Sequence, residues 1–199
     1  MQNIGKIGLA LACVVSLDAV VRAQNAQQCS LGGLGNPDTV IDACTVAIQS
    51  GHQTHDQLSD DYYHRGVAYF IKKQYGRAVQ DLSESIHLDP DIAERYHIRS
   101  VAYIFLTQYD PAIQDCQQMI RINPKDAKAY QCRGVVFAQK GKYDSALQDY
   151  NQAIRLNATS AELYRDRAIA YRHLNQGTLA DADFAKAQQL NPKVAPLPP

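Results

Sequence analysis

Residues 62–90, YYHRGVAYFIKKQYGRAVQDLSESIHLDP, contain a pattern that the chain repeats three more times at a spacing of 34 residues. Four columns of this pattern keep the same residue type in every copy. They are tyrosine (Tyr62, Tyr96, Tyr130, Tyr164), arginine (Arg65, Arg99, Arg133, Arg167), alanine (Ala78, Ala112, Ala146, Ala180) and aspartate (Asp81, Asp115, Asp149, Asp183). Identical columns at one fixed spacing indicate a protein built from repeated structural units.

Each copy has the pattern of two helices joined by a short break. In the first copy, apolar and aromatic residues fall at helical spacing over residues 62–73 and again over residues 77–88. Small residues such as Gly66 and Ala78 let two helices approach closely. Pro90 ends the second helix, because proline disfavours helical geometry in the residue before it. One hairpin cannot bury its apolar faces alone, so the sequence predicts an all-α stack of hairpins.

The period, the small residues and the prolines together resemble the tetratricopeptide repeat over residues 59–192. This resemblance implies a right-handed α-solenoid of helix-turn-helix hairpins, with repeats at residues 59–92, 93–126, 127–160 and 161–192. We expect residues 24–58 to form an N-terminal half-repeat cap with one helix, residues 39–48, and a linker. Residues 193–199 are proline-rich and are expected to form a mobile tail.

The N-terminus has the layout of a cleaved secretory signal. Lys6 precedes an apolar stretch at residues 7–21, and the small residues Val21 and Ala23 precede Gln24. A membrane span is disfavoured because the stretch is short and contains Asp18. Lipidation of Cys13 is a further alternative. The sequence therefore predicts a periplasmic or secreted protein, cleaved after Ala23, with no integral span in the mature chain.

The charge composition favours no polyanionic partner. The chain has 20 basic and 20 acidic residues, and removal of residues 1–23 leaves 18 and 19. No basic tract that would suit nucleic acid or an anionic membrane is present in the sequence. Hydrophobic residues make up 46% of the chain, as in a globular protein with a packed core.

Export would place four cysteines of the mature chain in an oxidising compartment, where they could form two disulfides in three different ways. Cys29 lies before a glycine-rich segment and Cys44 lies on the cap helix, so a bond between them would attach a weak segment to the array. We expect Cys116 and Cys132 to be buried thiols that pack as small hydrophobic residues. A second bond between them remains an alternative, since they fall on neighbouring helices.

The sequence contains little evidence of a catalytic site or a metal-binding site. His52, His55, Asp56 and His64 could suggest a metal site, but they lack a fixed scaffold, and solvated loop histidines are the simpler interpretation. No serine or cysteine has the sequence context of a nucleophile, and no glycine-rich loop could hold a phosphate. The arginine and aspartate columns occur four times, whereas an active site is needed once. We interpret them as structural ion pairs and expect neither an enzyme nor a cofactor.

The resemblance also implies which residues face a concave groove, namely positions 2, 5, 9, 12 and 13 of each first helix. The first two repeats supply a mostly apolar surface, and the last two supply a mostly basic one. The groove candidates are Tyr63, Val67, Phe70, Ile71, His97, Val101, Ile104, Phe105, Lys128, Gln131, Arg165, Arg172 and His173. In the alternative interpretation, Phe70, Ile71 and Phe105 pack against the cap or a neighbouring repeat.

The resemblance implies a non-catalytic module that binds a peptide or protein segment in this groove. An apolar surface beside a basic one suits an extended or helical segment with hydrophobic anchors and an acidic or C-terminal carboxylate group. The alternative is a structural or adaptor subunit of a bacterial envelope assembly, attached through its other face or by a lipid. The bacterial assignment rests on resemblance to small exported bacterial repeat proteins.

Overall fold

The computed structural model describes residues 28–29 and 36–197. All regular elements in the range 36–197 are helices. They are α1 (Pro37–Ser50), α2 (His55–Ile71), α3 (Tyr75–Leu88), α4 (Ala93–Phe105), α5 (Tyr109–Ile122), α6 (Ala127–Gln139), α7 (Tyr143–Leu156), α8 (Ala161–His173) and α9 (Gly177–Leu190). The predicted signal, its cleavage site and Cys13 lie outside the described residues. No helix in the described part has the length and apolar character needed to span a bilayer.

The chain divides into two compact units, of which the first ends at Pro90 and the second begins at Asp91. In the first unit α1 packs on α2, and α2 packs on α3. In the second unit each helix from α4 to α9 packs on the next, and α6 also contacts both α4 and α8. Three hairpins therefore stack in succession in the second unit, which confirms the predicted all-α solenoid of paired helices.

The helices of the first unit begin and end at residues suited to those positions. Asn36 caps α1 by accepting a hydrogen bond from the Asp38 amide, with proline at the first helical residue, and Gly51 ends α1 in the left-handed conformation at φ 65°. Thr54 and Gln57 form a reciprocal capping box at the start of α2. These signals fix the connection between α1 and α2 locally.

The turn inside each hairpin has one geometry in all four copies. Lys73, Thr107, Gly141 and Asn175 all have positive φ, between 58° and 75°. In the first hairpin the Gln74 amide donates to the Tyr69 carbonyl, and the Lys73 amide donates to the Phe70 carbonyl. This pair of bonds is the Schellman motif, which uses a left-handed residue to satisfy the last carbonyls of a helix. The turn thus reverses the chain identically in each repeat, although only one copy uses glycine.

Small residues allow the close packing of the paired helices. The alanine column, Ala78, Ala112, Ala146 and Ala180, is fully buried. At Gly134 an added Cβ would lie 2.7 Å from the Cε1 of Tyr150, whose ring fills the space between α6 and α7. Tyr150 is itself buried, and this burial raises the pKa of its phenol. The glycine therefore makes room for the largest fully buried side chain of its hairpin.

The arginine and aspartate columns form one ion pair in every repeat. Arg65, for example, donates through Nε to Asp81 Oδ2 at 2.7 Å and through Nη2 to Asp81 Oδ1 at 2.9 Å. Its guanidinium also lies 5.6 Å from the ring centroid of Tyr62, within range of a cation–π contact. The hydrogen bond to Asp81 raises the pKa of Arg65. The other three pairs have the same two-point geometry: Arg99 with Asp115, Arg133 with Asp149, and Arg167 with Asp183.

Two disulfides are present in the described part of the chain. The predicted Cys29–Cys44 bond joins residue 29 to helix α1, and both residues are fully buried in the core of the first unit. Cys116 and Cys132 are also bonded, with Cα atoms 5.7 Å apart, so the expectation of two buried thiols was wrong. They lie on α5 and α6, which pack directly against each other across consecutive repeats. The packing of α5 on α6 thus brings the two side chains together, as the alternative interpretation of a second bond required.

Candidate peptide-binding groove

The first helices of two consecutive repeats enclose a pocket in the second unit. Its volume is about 350 Å³, and it is open to solvent between α4 and α6. We call it the α4–α6 pocket; it is lined by Glu94, His97, Ser100, Val101, Ile104, Lys128, Gln131, Cys132 and Val135. Five of these residues, His97, Val101, Ile104, Lys128 and Gln131, are groove candidates from the sequence.

Helical periodicity explains how α4 presents its side of the pocket. Glu94, His97, Val101 and Ile104 follow each other at steps of three or four residues, so they share one face of the helix. Val101 and Ile104 are half-buried and supply an apolar wall, while Glu94 at the rim is exposed. Val135 on α6 adds to the apolar surface. An apolar side chain of an incoming peptide would lose its contact with water here.

Polar groups surround this apolar surface. His97 Nδ1 lies 3.9 Å from Glu94 Oε1, and Lys128 is exposed on the opposite helix. The Gln131 side-chain amide donates to Asp166 Oδ2 on α8 at 2.7 Å, which ties the pocket to the next repeat. Burial raises the pKa of Asp166, although the hydrogen bond from Gln131 opposes the shift. The rim of the pocket thus has one acidic group, Glu94, and one basic group, Lys128, which can orient a peptide segment that carries a charged residue.

The disulfide of the second unit forms part of the pocket lining. Cys132 lines the pocket and is bonded to Cys116, and the Ser100 hydroxyl oxygen lies 3.2 Å from the Cys132 sulfur. Ser100 is fully buried and donates its hydroxyl proton to the carbonyl of His97 at 2.7 Å. The proton of this hydroxyl is therefore held by the helix backbone.

Four lining residues are not among the groove candidates, and one of them, Glu94, stands at position 2 of its repeat, which the position rule includes. Val135 stands at position 9 of its repeat, so the position rule that identified Val101 would have found it. Ser100 and Cys132 stand at positions 8 and 6, which the position rule does not include, and both are buried. Only the packing of α4 on α6 could indicate them.

The groove candidates of the first unit lie on α2. Tyr63, Val67 and Phe70 are half-buried, and the Phe70 ring makes an edge contact with Tyr75 of the same hairpin at 5.5 Å. Ile71 is 48% exposed. The structure places these four residues outside the α4–α6 pocket.

The remaining candidates of the second unit have different surroundings. Phe105, at the end of α4, is 57% exposed, which does not fit an interpretation in which it is buried against a neighbouring repeat. His173 is exposed but its ring stacks on Tyr143 at 4.3 Å, and Arg172 is exposed at the end of α8. Arg165, on the same helix, contacts the C-terminal residues of the chain itself.

The histidines of the linker and α2 lie in different surroundings. Among the described residues, no three histidine, cysteine, aspartate or glutamate side chains cluster in a way that could hold a metal ion. His52 and His55 are both exposed, and His64 makes a ring contact with Tyr63.

Family comparisons agree with the repeat pattern. A tetratricopeptide-repeat model matches residues 62–92 and 93–126, a second matches residues 116–148, and a TPR-repeat model matches residues 134–174. The chain is a tetratricopeptide-repeat protein. No curated protein sequence matches the chain significantly.

Solved structures of the same fold include several of MamA. A crystal structure of MamA is 24% identical, has a TM-score of 0.70, and aligns over 79% of this chain and 90% of its own. A second crystal structure of MamA is 21% identical, with a TM-score of 0.73 over 89% and 98% of the two chains. MamA from Desulfovibrio magneticus RS-1 is 17% identical, with a TM-score of 0.75 over 89% and 97%. These similarities concern the fold of this tetratricopeptide-repeat protein, which is typical of protein-interaction modules.

Proposed function

We propose that the chain is a non-catalytic interaction module whose second unit binds a segment of another protein in the α4–α6 pocket. The observation that carries this proposal is the pocket itself, an apolar wall of Val101 and Ile104 with charged groups at its rim. Concave apolar sites with a few convergent polar groups are the usual form of a binding site.

The chemistry of the lining indicates the kind of segment that fits. Val101, Ile104 and Val135 favour an apolar anchor side chain, and the Lys128 ammonium favours an acidic group or a C-terminal carboxylate beside it. The exposed ring of Phe105 extends the apolar surface at the end of α4. A short peptide with one hydrophobic anchor and one acidic group matches these features.

Binding rather than catalysis also agrees with the state of the polar groups. The Ser100 hydroxyl donates to a backbone carbonyl, so its proton is not held by a general base, as a serine nucleophile would require. The near balance of acidic and basic residues favours a protein partner over nucleic acid.

We further propose that the protein works outside the cytoplasm after removal of residues 1–23. The two disulfides favour an oxidising compartment, where such bonds form and persist. The intact mass of the protein isolated from its host decides this part, and a chain that retains residues 1–23 would exclude it.

Selection from a displayed library of random peptides tests the binding proposal and does not require the natural partner to be identified first. The full chain should enrich sequences that combine an apolar anchor with an acidic group. Enriched peptides should bind the parent chain and lose binding to the variant Ile104→Asp, which places a charge in the pocket wall. Enrichment of no sequence, or peptides that bind both proteins equally, would contradict the proposal.

A further inference from the structure

We propose that the C-terminal segment, residues 193–197, is a resident ligand of the groove at α8, which a partner segment must displace to reach Arg165. This inference rests on the proposed function, since Arg165 stands at a groove position of the last repeat.

Two hydrogen bonds hold the C-terminal segment on α8. Arg165 donates through Nε to the Ala195 carbonyl at 2.9 Å and through Nη2 to the Pro196 carbonyl at 3.5 Å. Successive carbonyls of an extended chain are ligands that a guanidinium with several donors can bind together. Arg165 thus contacts this segment through main-chain atoms, as a groove contacts a bound peptide.

The side chains of the C-terminal segment are half-buried at a three-residue spacing that fits a docked polyproline II segment. Val194 and Leu197 are half-buried, whereas Ala195 and Pro196 between them are exposed. A spacing of three residues places side chains on the same side of a polyproline II helix, the conformation that proline-rich sequences favour. One side of the segment therefore faces the protein, and the other faces solvent.

A turn after α9 directs the chain back toward α8. Asn191 accepts hydrogen bonds from the Lys193 amide at its side chain, 3.0 Å, and from the Val194 amide at its carbonyl, 2.9 Å. Pro192 cannot continue the helix, so the chain leaves α9 at this point. The residues that follow α9 therefore turn the chain back toward α8.

A chain of side-chain contacts connects the docked segment to the α4–α6 pocket. Arg165 Nη1 is 3.7 Å from Asp166 Oδ1, and the other oxygen of Asp166 accepts the hydrogen bond from Gln131, which lines the pocket. A peptide that extends from the pocket along α6 toward α8 would meet Arg165 and the C-terminal segment. Covalent attachment gives this segment a high effective concentration, so even weak docking keeps Arg165 occupied.

A fluorescent peptide with the sequence KVAPLPP, which copies residues 193–199, is the probe for this proposal. All proteins in the test are full length. In the variant with Val194→Gly and Leu197→Gly, the chain's own segment loses its half-buried side chains and gains flexibility, so it should vacate α8. We expect the probe to bind this variant about ten-fold tighter than the parent chain.

Addition of Arg165→Ala to that variant should abolish the gain, while Arg155→Ala, which removes an equal charge from the exposed side of α7, should retain it. As a second measurement, Arg165→Ala alone should speed the tryptic release of residues 194–199 after Lys193. Equal or undetectable probe binding to the parent chain and the glycine variant would overturn the proposal. Because the probe contacts α8 and not the α4–α6 pocket, this result is separate from the library test of the proposed function.

Discussion

The guanidinium of Arg99 and the carboxylate of Asp115 form a two-point ion pair, with Nε to Oδ2 at 2.9 Å and Nη2 to Oδ1 at 2.6 Å. The Asp115 side chain is only 4% exposed and the Arg99 side chain 16%. A carboxylate buried to this extent without a partner would strongly destabilise the folded state. Each aspartate of this column therefore requires its arginine. Its recurrence in all four repeats makes it a part of the hairpin rather than of a binding site.

Arg99→Ala should therefore reduce stability and leave binding intact in the molecules that remain folded. We expect a loss of about 3–5 kcal/mol, because the variant leaves Asp115 buried without its partner. The control is Arg121→Ala, whose contact with Asp91 is exposed and should contribute about 0–1 kcal/mol. Chemical denaturation gives both values. A normal unfolding free energy together with lost peptide binding would contradict the structural role of the pair.

Gly134→Ala tests the close approach of α6 and α7. The new Cβ would lie within 3 Å of two atoms of the buried Tyr150 ring, so the ring or the helix must shift. We expect a loss of about 1–3 kcal/mol. Gly76→Ala is the matched control, since a Cβ there meets no atom within 4 Å, and it should stabilise the protein by up to about 1 kcal/mol. Similar effects of the two substitutions on melting would show that the tight packing is unimportant.

Loss of the Cys29–Cys44 disulfide should loosen the first unit selectively. The bond closes a loop with a sequence separation of 15, which is worth about 3 kcal/mol in the chain-entropy model. In the double variant Cys29→Ala with Cys44→Ala, amide hydrogen exchange should accelerate in α1. Exchange in α6 to α9 should not change. Accelerated exchange throughout both units would mean that the bond supports the whole array.

Asp166→Asn should change the pH dependence of stability in a defined direction. Burial raises the pKa of Asp166, so the folded state binds its proton more tightly than the unfolded state does. Stability is then lost as pH rises from the unfolded pKa through the folded one. The asparagine variant cannot ionise and retains an acceptor for Gln131, so it should melt higher than the parent at neutral pH. Below about pH 4 the two should converge, since the aspartate is then protonated.

The control for this pH dependence is Asp110→Asn. The hydrogen bond from Lys140 lowers the pKa of this exposed carboxylate, so the ionised form contributes stability that is lost as pH falls. Asp110→Asn should accordingly leave the melting temperature equal or lower at neutral pH. A decrease for Asp166→Asn at neutral pH would contradict the assignment of burial as the dominant cause.

Periodic features of the sequence predicted the fold, whereas contacts across repeats were predicted only in part. The arginine and aspartate columns identified the ion pairs because both residues belong to one repeat and recur with it. His97 and Val101 were named as groove candidates because the resemblance to the tetratricopeptide repeat assigns positions 5 and 9 of each first helix to the groove, and both line the α4–α6 pocket. The Cys116–Cys132 bond depends on how α5 packs on α6, which the spacing of two cysteines does not specify.

Non-repeating features were the least predictable. Residues 193–197 occur once, so no periodicity indicates where they lie, and their composition alone suggested a mobile tail. Their contact with Arg165 follows from the turn at Asn191 and the position of α8. The sequence also gave no indication that Lys73 and Thr107 adopt the left-handed conformation, because neither residue type favours positive φ.

Binding of a selected peptide to pocket variants tests most sharply whether the α4–α6 pocket is the binding surface. A labelled peptide from the displayed library would be titrated by fluorescence anisotropy into the parent chain, Val101→Asp and Leu179→Asp. Val101 lines the α4–α6 pocket, whereas Leu179 is an exposed aliphatic residue on α9 that does not line it. We expect a Kd about ten-fold or more higher for Val101→Asp and an unchanged Kd for Leu179→Asp, with normal helical circular dichroism in both. An unchanged Kd for a folded Val101→Asp protein would contradict this role of the pocket.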